Sequence, residues 1–240
     1  MSDLGTAPGG AAPADQRVGT VLVGRLADAF EEARDPERAV GMAAYMRDQF
    51  PFLGLTSAVR RSRAKVALAG LPKPAEADLR EVALACWARD GREFQQFACD
   101  YLTTHVKVAG PAFLDTTAEL ITTKSWWDTV DPLATRVVAG LVRQHPALTA
   151  RMDEWSETAN MWLVRTAILH QLHYREATDT DRLFGYCARQ AGHRDFFVRK
   201  AIGWALRQHA RTDPEAVRAF LATHADTLSP LSIREAAKHL

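Results

Sequence analysis

The sequence predicts an all-α protein, a HEAT-like repeat α-solenoid with a concave groove, and three observations carry that prediction. Apolar residues recur at helical spacing almost everywhere after residue 17. No stretch alternates with period two, and no Asn-Gly or Asp-Gly turn joins β-branched runs. A self-comparison then gives a repeat. Trp162-Leu163-Val164-Arg165-Thr166-Ala167-Ile168 matches Phe196-Phe197-Val198-Arg199-Lys200-Ala201-Ile202 at an offset of 34. Glu93-Phe94-Gln95-Gln96-Phe97-Ala98-Cys99 falls in the same register, 69 residues before Trp162, with Trp127 between them.

Along the chain, residues 1–16 are Gly/Pro/Ala-rich without an apolar block, and read as a disordered leader rather than a signal peptide. Residues 17–240 then read as a single repeat domain. Val18, Val21, Leu22, Leu26 and Phe30 make the first helical stripe; Leu79, Val82, Ala83, Cys86 and Trp87 make another. Asp35-Pro36, Leu71-Pro72, Gly110-Pro111, His145-Pro146, Asp213-Pro214 and Ser229-Pro230 put proline where helices begin. Asp90-Gly91 reads as a helix boundary. A helical period of 34–35 means stacked helix pairs, shorter than the roughly 40–47 residues of ordinary HEAT units. The Trp/Leu-Gly/Tyr/Pro pattern of tetratricopeptide repeats is missing. The segments starting at Glu93, Trp127, Trp162 and Phe196 are therefore expected side by side on one concave face.

Composition narrows the function. With 47% hydrophobic and 25% charged residues the 240-residue chain is of ordinary globular type. No run of about 18 apolar residues allows a membrane span, and the cytoplasm is the expected compartment. Cys86, Cys99 and Cys187 form no C-x-x-C pair, so neither a disulfide framework nor a zinc knuckle is indicated. The net charge of +1 hides a mild asymmetry, −3 over residues 1–50 and +3 over residues 121–240. A solvated surface explains that as well as an anionic partner does.

Within the repeats, Lys124-Ser125-Trp126-Trp127-Asp128-Thr129-Val130-Asp131 is unusual. Adjacent tryptophans on a helix point about 100° apart, so both cannot face one core. Trp127 and Asp131, four apart, share a face. Either they pair an aromatic plane with a carboxylate at a site, or one tryptophan is core and Asp131 caps a helix begun by Pro132. Lys200, Trp204, Arg207 and Arg211 lie at i, i+4, i+7 and i+11. That stripe suits a polyanion, or a core tryptophan flanked by snorkelling basic stems. Arg165 and Arg199 hold the same repeat position, which fits a grip on successive phosphates or an inter-repeat salt bridge. His170 and His173 lack the further ligands of a metal site, and Arg60-Arg61-Ser62-Arg63-Ala64-Lys65 reads as a solvated face. No Walker loop, dinucleotide glycine fingerprint or G-x-S-x-G elbow is present.

Taken with Ala44-Tyr45-Met46, Phe50-Pro51-Phe52-Leu53-Gly54-Leu55 and Arg92-Glu93-Phe94-Gln95, these segments resemble the AlkD-like DNA alkylation repair glycosylases, over about Val18 to Leu240. The resemblance implies hydrolysis of the N-glycosidic bond of cationic N3- or N7-alkylpurines, bulky adducts included, in double-stranded DNA without base flipping. It places the catalytic aspartate at Asp131 and lesion-facing tryptophans at Trp127 and Trp204. A phosphate-gripping arginine falls at Arg165 and a lesion-proximal tyrosine at Tyr45. Arg199, Lys200 and Arg207 join them as DNA-binding residues. No cofactor or metal is implied, and the protein is expected to act as a monomer. Two departures stand out: His173 replaces the basic residue expected before Tyr174, and the family's pattern continues beyond the position of Leu240. The rival reading is a non-catalytic HEAT scaffold for DNA or protein; a metal-dependent nuclease lacks the clustered carboxylates it needs.

Overall fold

The computed structural model describes residues 18–240; the leader read at residues 1–16 lies outside the described residues. Among the described residues every regular element is helical. The chain groups into two compact units, one ending at Glu93 and one running from Phe94 to Leu240.

In the first unit, α1 (Val18–Glu32) lays a stripe of Leu22, Val23, Leu26 and Phe30 against α3 (Ser57–Leu68) and α4 (Glu76–Ala88). From α4, Leu79, Val82, Ala83, Cys86 and Trp87 are all buried, as their helical spacing requires. Between α1 and α3, α2 (Pro36–Tyr45) starts on Pro36, capped by the Asp35 carboxylate accepting from the Arg38 N–H at 2.9 Å. The chain then turns through Phe50–Leu55, and this segment is fastened from the start of α5 (Arg92–His105). The buried Glu93 carboxylate accepts from the backbone N–H groups of Leu53, Gly54 and Leu55 at 2.8–3.1 Å. The Arg92 guanidinium covers the Phe50 ring at 3.8 Å. Gly54 sits at φ +91° with Asp35 O 2.0 Å from where a Cβ would be, so only glycine fits.

The second unit is the repeat. After α5 come α6 (Phe113–Thr122), α7 (Trp127–Pro132), α8 (Ala139–Gln144), α9 (Thr149–Trp155), α10 (Met161–Leu169), α11 (Thr180–Arg189), α12 (Phe196–His209), α13 (Pro214–Thr223) and α14 (Pro230–Ala236). One helix of each pair starts at Arg92, Trp127, Met161, Phe196 and Pro230, in steps of 34 or 35. In this unit α7, α10, α12 and α14 contact one another in that order. Hydrogen bonds between neighbours keep the period: Tyr174 Oη to Ala139 O spans 35 residues, Gln190 Nε2 to Ser156 O spans 34, and Ser232 Oγ to Arg199 O spans 33.

Proline marks the helix starts at Pro36, Pro146, Pro214 and Pro230, while Pro72 and Pro111 precede theirs by a few residues. Pro132 does not begin a helix. It lies inside one, and Leu133–Val138 continue as a π-helical stretch into α8. Proline has no N–H for the Asp128 carbonyl, so the ladder is broken where the helix changes pitch.

Candidate active site

The approach to α7 is shaped locally. Lys124 adopts a left-handed φ of 47°, and Ser125 Oγ donates to Ile121 O at 2.6 Å. Trp126, in extended conformation, then caps α7 without a side-chain bond. The two tryptophans diverge, but not through helical spacing, because Trp126 stands in extended backbone before the helix that Trp127 opens. Trp126 joins Phe197 and Trp162, with ring centroids 5.1 and 6.1 Å away, so three successive repeats share one aromatic cluster. Its Nε1 is buried and has no hydrogen-bond partner among the described residues. Trp127 opens α7, is half-buried, and stands four residues before Asp131 on the same face.

Asp131 meets Arg165. Nε donates to Oδ1 at 2.7 Å and Nη2 to Oδ2 at 2.8 Å, a two-pronged fork between the same positions of adjacent repeats. Nη1 donates to the Phe197 carbonyl, so this guanidinium ties α7, α10 and α12 together. The Arg165 side chain is 4% exposed and that of Asp131 17%. The arginine is sealed, and the carboxylate keeps an open edge. Burial pushes the Asp131 carboxyl up from its ordinary value, while the hydrogen bonds and charge of Arg165 oppose the rise. A fork that donates to both oxygens needs the ionised form, which leaves each oxygen a spare lone pair.

On α12, Trp204 is half-buried, and the cations of its stripe are organised from α14. Glu235, 6% exposed at its side chain, accepts from Lys200 at 2.9 Å, Arg207 at 3.0 Å and Lys238 at 2.7 Å. Hydrogen bonds from Lys238 and Lys200 hold its carboxyl down at about 2. Three cations around one carboxylate leave the cluster net positive. Arg199 Nε donates to His193 O at 2.6 Å. Tyr45, 73% exposed at the end of α2, belongs to the first unit. Of the eight residues singled out from the sequence, the structure thus joins Asp131 to Arg165, and Lys200 to Arg207 through Glu235. Glu235 and Lys238 escaped the sequence reading. The repeat was the available signal, since Glu235 lies 35 residues after Lys200, one repeat on.

His170 is buried, with Nδ1 2.7 Å from Ala167 O, and His173 is exposed. Partial desolvation of its ring, then the charges of Arg136 and Arg175, lower the His173 pKa and favour its neutral form. Among the described residues no group of three or more His, Cys, Asp or Glu is placed to hold a metal ion. No described helix is long and apolar enough to cross a membrane.

A family model described as DNA alkylation repair enzyme matches residues 26–240. The chain is similar to a solved structure named as a predicted DNA alkylation repair enzyme from Enterococcus faecalis. The two are 30% identical with a TM-score of 0.77, over 86% of this chain and 96% of that one. It also shares its fold with smu.31 from Streptococcus mutans UA159, at 15% identity and a TM-score of 0.58, over 75% of this chain and 91% of the other. No curated protein matches the chain.

Proposed function

The chain belongs to the DNA alkylation repair enzyme family, and from that premise we propose that it is a DNA glycosylase for cationic N3- and N7-alkylpurines in duplex DNA. The observation that carries the reading is Asp131: a carboxylate with one open edge, held through both oxygens by Arg165, four residues from the half-buried Trp127 on α7.

An N3- or N7-alkylated purine already bears a positive charge, so it departs without being protonated. The C1′–N bond breaks with its electron pair going to the base, which leaves neutral, and positive charge develops on the sugar. One carboxylate suffices for that chemistry, where O-glycosidases usually need two. Asp131 stabilises the oxocarbenium-like sugar and orients the water whose oxygen bonds to C1′, the proton passing to the carboxylate or solvent. Trp127 and Trp204 offer ring faces to the deoxyribose, and these become more attractive as its charge grows. Arg199, Lys200 and Arg207 line the DNA backbone. The lesion stays in the stack, so bulky adducts need no enclosing pocket.

The Asp131–Arg165 pair would serve equally as an inter-repeat link in a scaffold that only binds. Incubation with duplexes carrying 3-methyladenine, 7-methylguanine or no lesion separates the readings. Release of free alkylpurine from the first two alone supports the glycosylase, and tight binding without release supports the scaffold.

A further inference from the structure

We propose that Glu235 is a positioning residue of the DNA grip, which converges Lys200, Arg207 and Lys238 on one phosphate beside Trp204 and so adds Lys238 to the residues that touch DNA. This rests on the reading that the α12 stripe faces a duplex, and not on the base-release chemistry. Lys200, Trp204 and Arg207, at i, i+4 and i+7, share one face of α12. Two long cationic side chains, one turn to either side of the ring, would by themselves repel each other and sample many rotamers. Each would then lose that freedom on closing over a phosphate. Glu235 orders them beforehand. Its Oε1 accepts from Lys200 Nζ at 2.9 Å and from Lys238 Nζ at 2.7 Å, and its Oε2 accepts from Arg207 Nη1 at 3.0 Å.

Backbone packing, rather than the cations, fixes where this carboxylate stands. Ser232 Oγ donates to Arg199 O at 2.9 Å, which pins α14 to α12. Gly203, next to Trp204, has no side chain, and a Cβ there would lie 2.5 Å from Glu235 Cβ. The Glu235 side chain is consequently 6% exposed, whereas those of Lys200, Arg207 and Lys238 are 37%, 24% and 47% exposed. The carboxylate lies beneath and the cations reach past it. Because all three nitrogens meet on one carboxylate, they also meet at one point in front of it, as a grip on a single phosphate requires. Each cation gives one N–H to Glu235 and keeps the others for a ligand. Three positive charges around one negative leave the seat net positive for a phosphodiester.

The test is affinity for an unmodified duplex as a function of salt concentration. It compares wild type with Glu235→Gln, with Lys238→Ala, with Lys200→Ala plus Arg207→Ala, and with that pair combined with Glu235→Gln. Removing the Glu235 charge makes the cluster more positive, so charge alone calls for tighter binding. The expected result is the opposite: Glu235→Gln binds about tenfold more weakly, because the cations must be ordered anew on DNA. Where Lys200 and Arg207 are absent, Glu235→Gln is expected to cost no further affinity, since a positioning residue then has nothing to position. A residue that only fastens α14 would cost the same in both backgrounds. Lys238→Ala is expected to weaken binding and to flatten the salt dependence by about one ion. Glu235→Gln that binds as tightly as wild type or tighter, or loses equal affinity in both backgrounds, overturns the proposal. If Glu235→Gln does not fold, Lys238→Ala decides: wild-type affinity and salt slope overturn it, and the loss of one ion supports it. Base release is assayed separately on alkylated duplex. A wild type whose binding follows this pattern but which releases no alkylpurine overturns the glycosylase reading and supports this one, while a wild type that does not bind duplex overturns this one.

Discussion

Gly203 on α12 lies against Glu235 on α14 so closely that a Cβ added to Gly203 would stand 2.5 Å from Glu235 Cβ and 2.9 Å from the Ser232 carbonyl oxygen. That approach brings the Glu235 carboxylate to Lys200 and Arg207, on either side of Trp204. Because backbone cannot swing aside, Gly203→Ala is expected to cost about 1–3 kcal/mol. Thermal melting checks it, and an unchanged melting temperature would show that α14 moves freely on α12.

The Glu93 carboxylate gathers three backbone N–H groups of residues 53–55 in a buried site. Glu93→Gln replaces one accepting oxygen with a donor that faces donors. A loss of about 1.5–3 kcal/mol in the urea unfolding of the first unit is expected. A midpoint equal to wild type would mean that the 53–55 segment is held by other contacts.

His170 is buried, and desolvation lowers its pKa from 6.5 to about 4. Below pH 6.5 the unfolded chain takes up a proton that the folded one refuses. Stability from this group is therefore complete above pH 6.5 and is lost as pH falls toward 4, by up to about 3 kcal/mol. Melting temperatures recorded from pH 7 to pH 4 should decline, and less steeply for His170→Gln. Equal slopes would rule out this histidine.

Trp127→Ala and Trp204→Ala are expected to slow alkylpurine release, each by less than the loss of Asp131, since a ring-to-cation contact is worth about 0.5–2 kcal/mol. Both rings are half-buried, so the fold is expected to survive. Single-turnover kinetics at saturating DNA check this; a Trp204→Ala variant at the wild-type rate would confine that ring to packing.

The repeat was legible because equivalent helices must bury equivalent faces, and the spacing of Arg165 and Arg199 reports it directly. Helix starts at Pro36, Pro214 and Pro230 were legible because proline tolerates the first turn, where its missing N–H costs nothing. Pro132 misleads for the same reason: the same residue type sits mid-helix where a π stretch accommodates it. That Trp126 and Trp127 cannot both face one core was legible, but not that Trp126 stands outside the helix in extended backbone and joins the aromatic cluster. Arg165 could be read either way, since a cation repeated along a helix stack serves phosphates and carboxylates alike. Its pairing with Asp131 depends on what that residue and Phe197 present from the neighbouring helices, which spacing alone does not give. The grouping of Lys200 and Arg207 depends on Glu235, a residue that only packing of α14 brings near.

The central claim is that the charge of Asp131 drives the chemistry. Its most direct test is single-turnover release of 7-methylguanine from duplex DNA by wild type and by Asp131→Asn, with binding measured in parallel. Asn keeps the shape and one acceptor for Arg165 but leaves that buried arginine without a counter-charge, so the assay is run well below the variant's melting temperature. The account predicts release by the wild type, a rate lower by about 10²–10³ in the variant, and DNA affinity equal to or tighter than wild type. Excision by Asp131→Asn at the wild-type rate would contradict it.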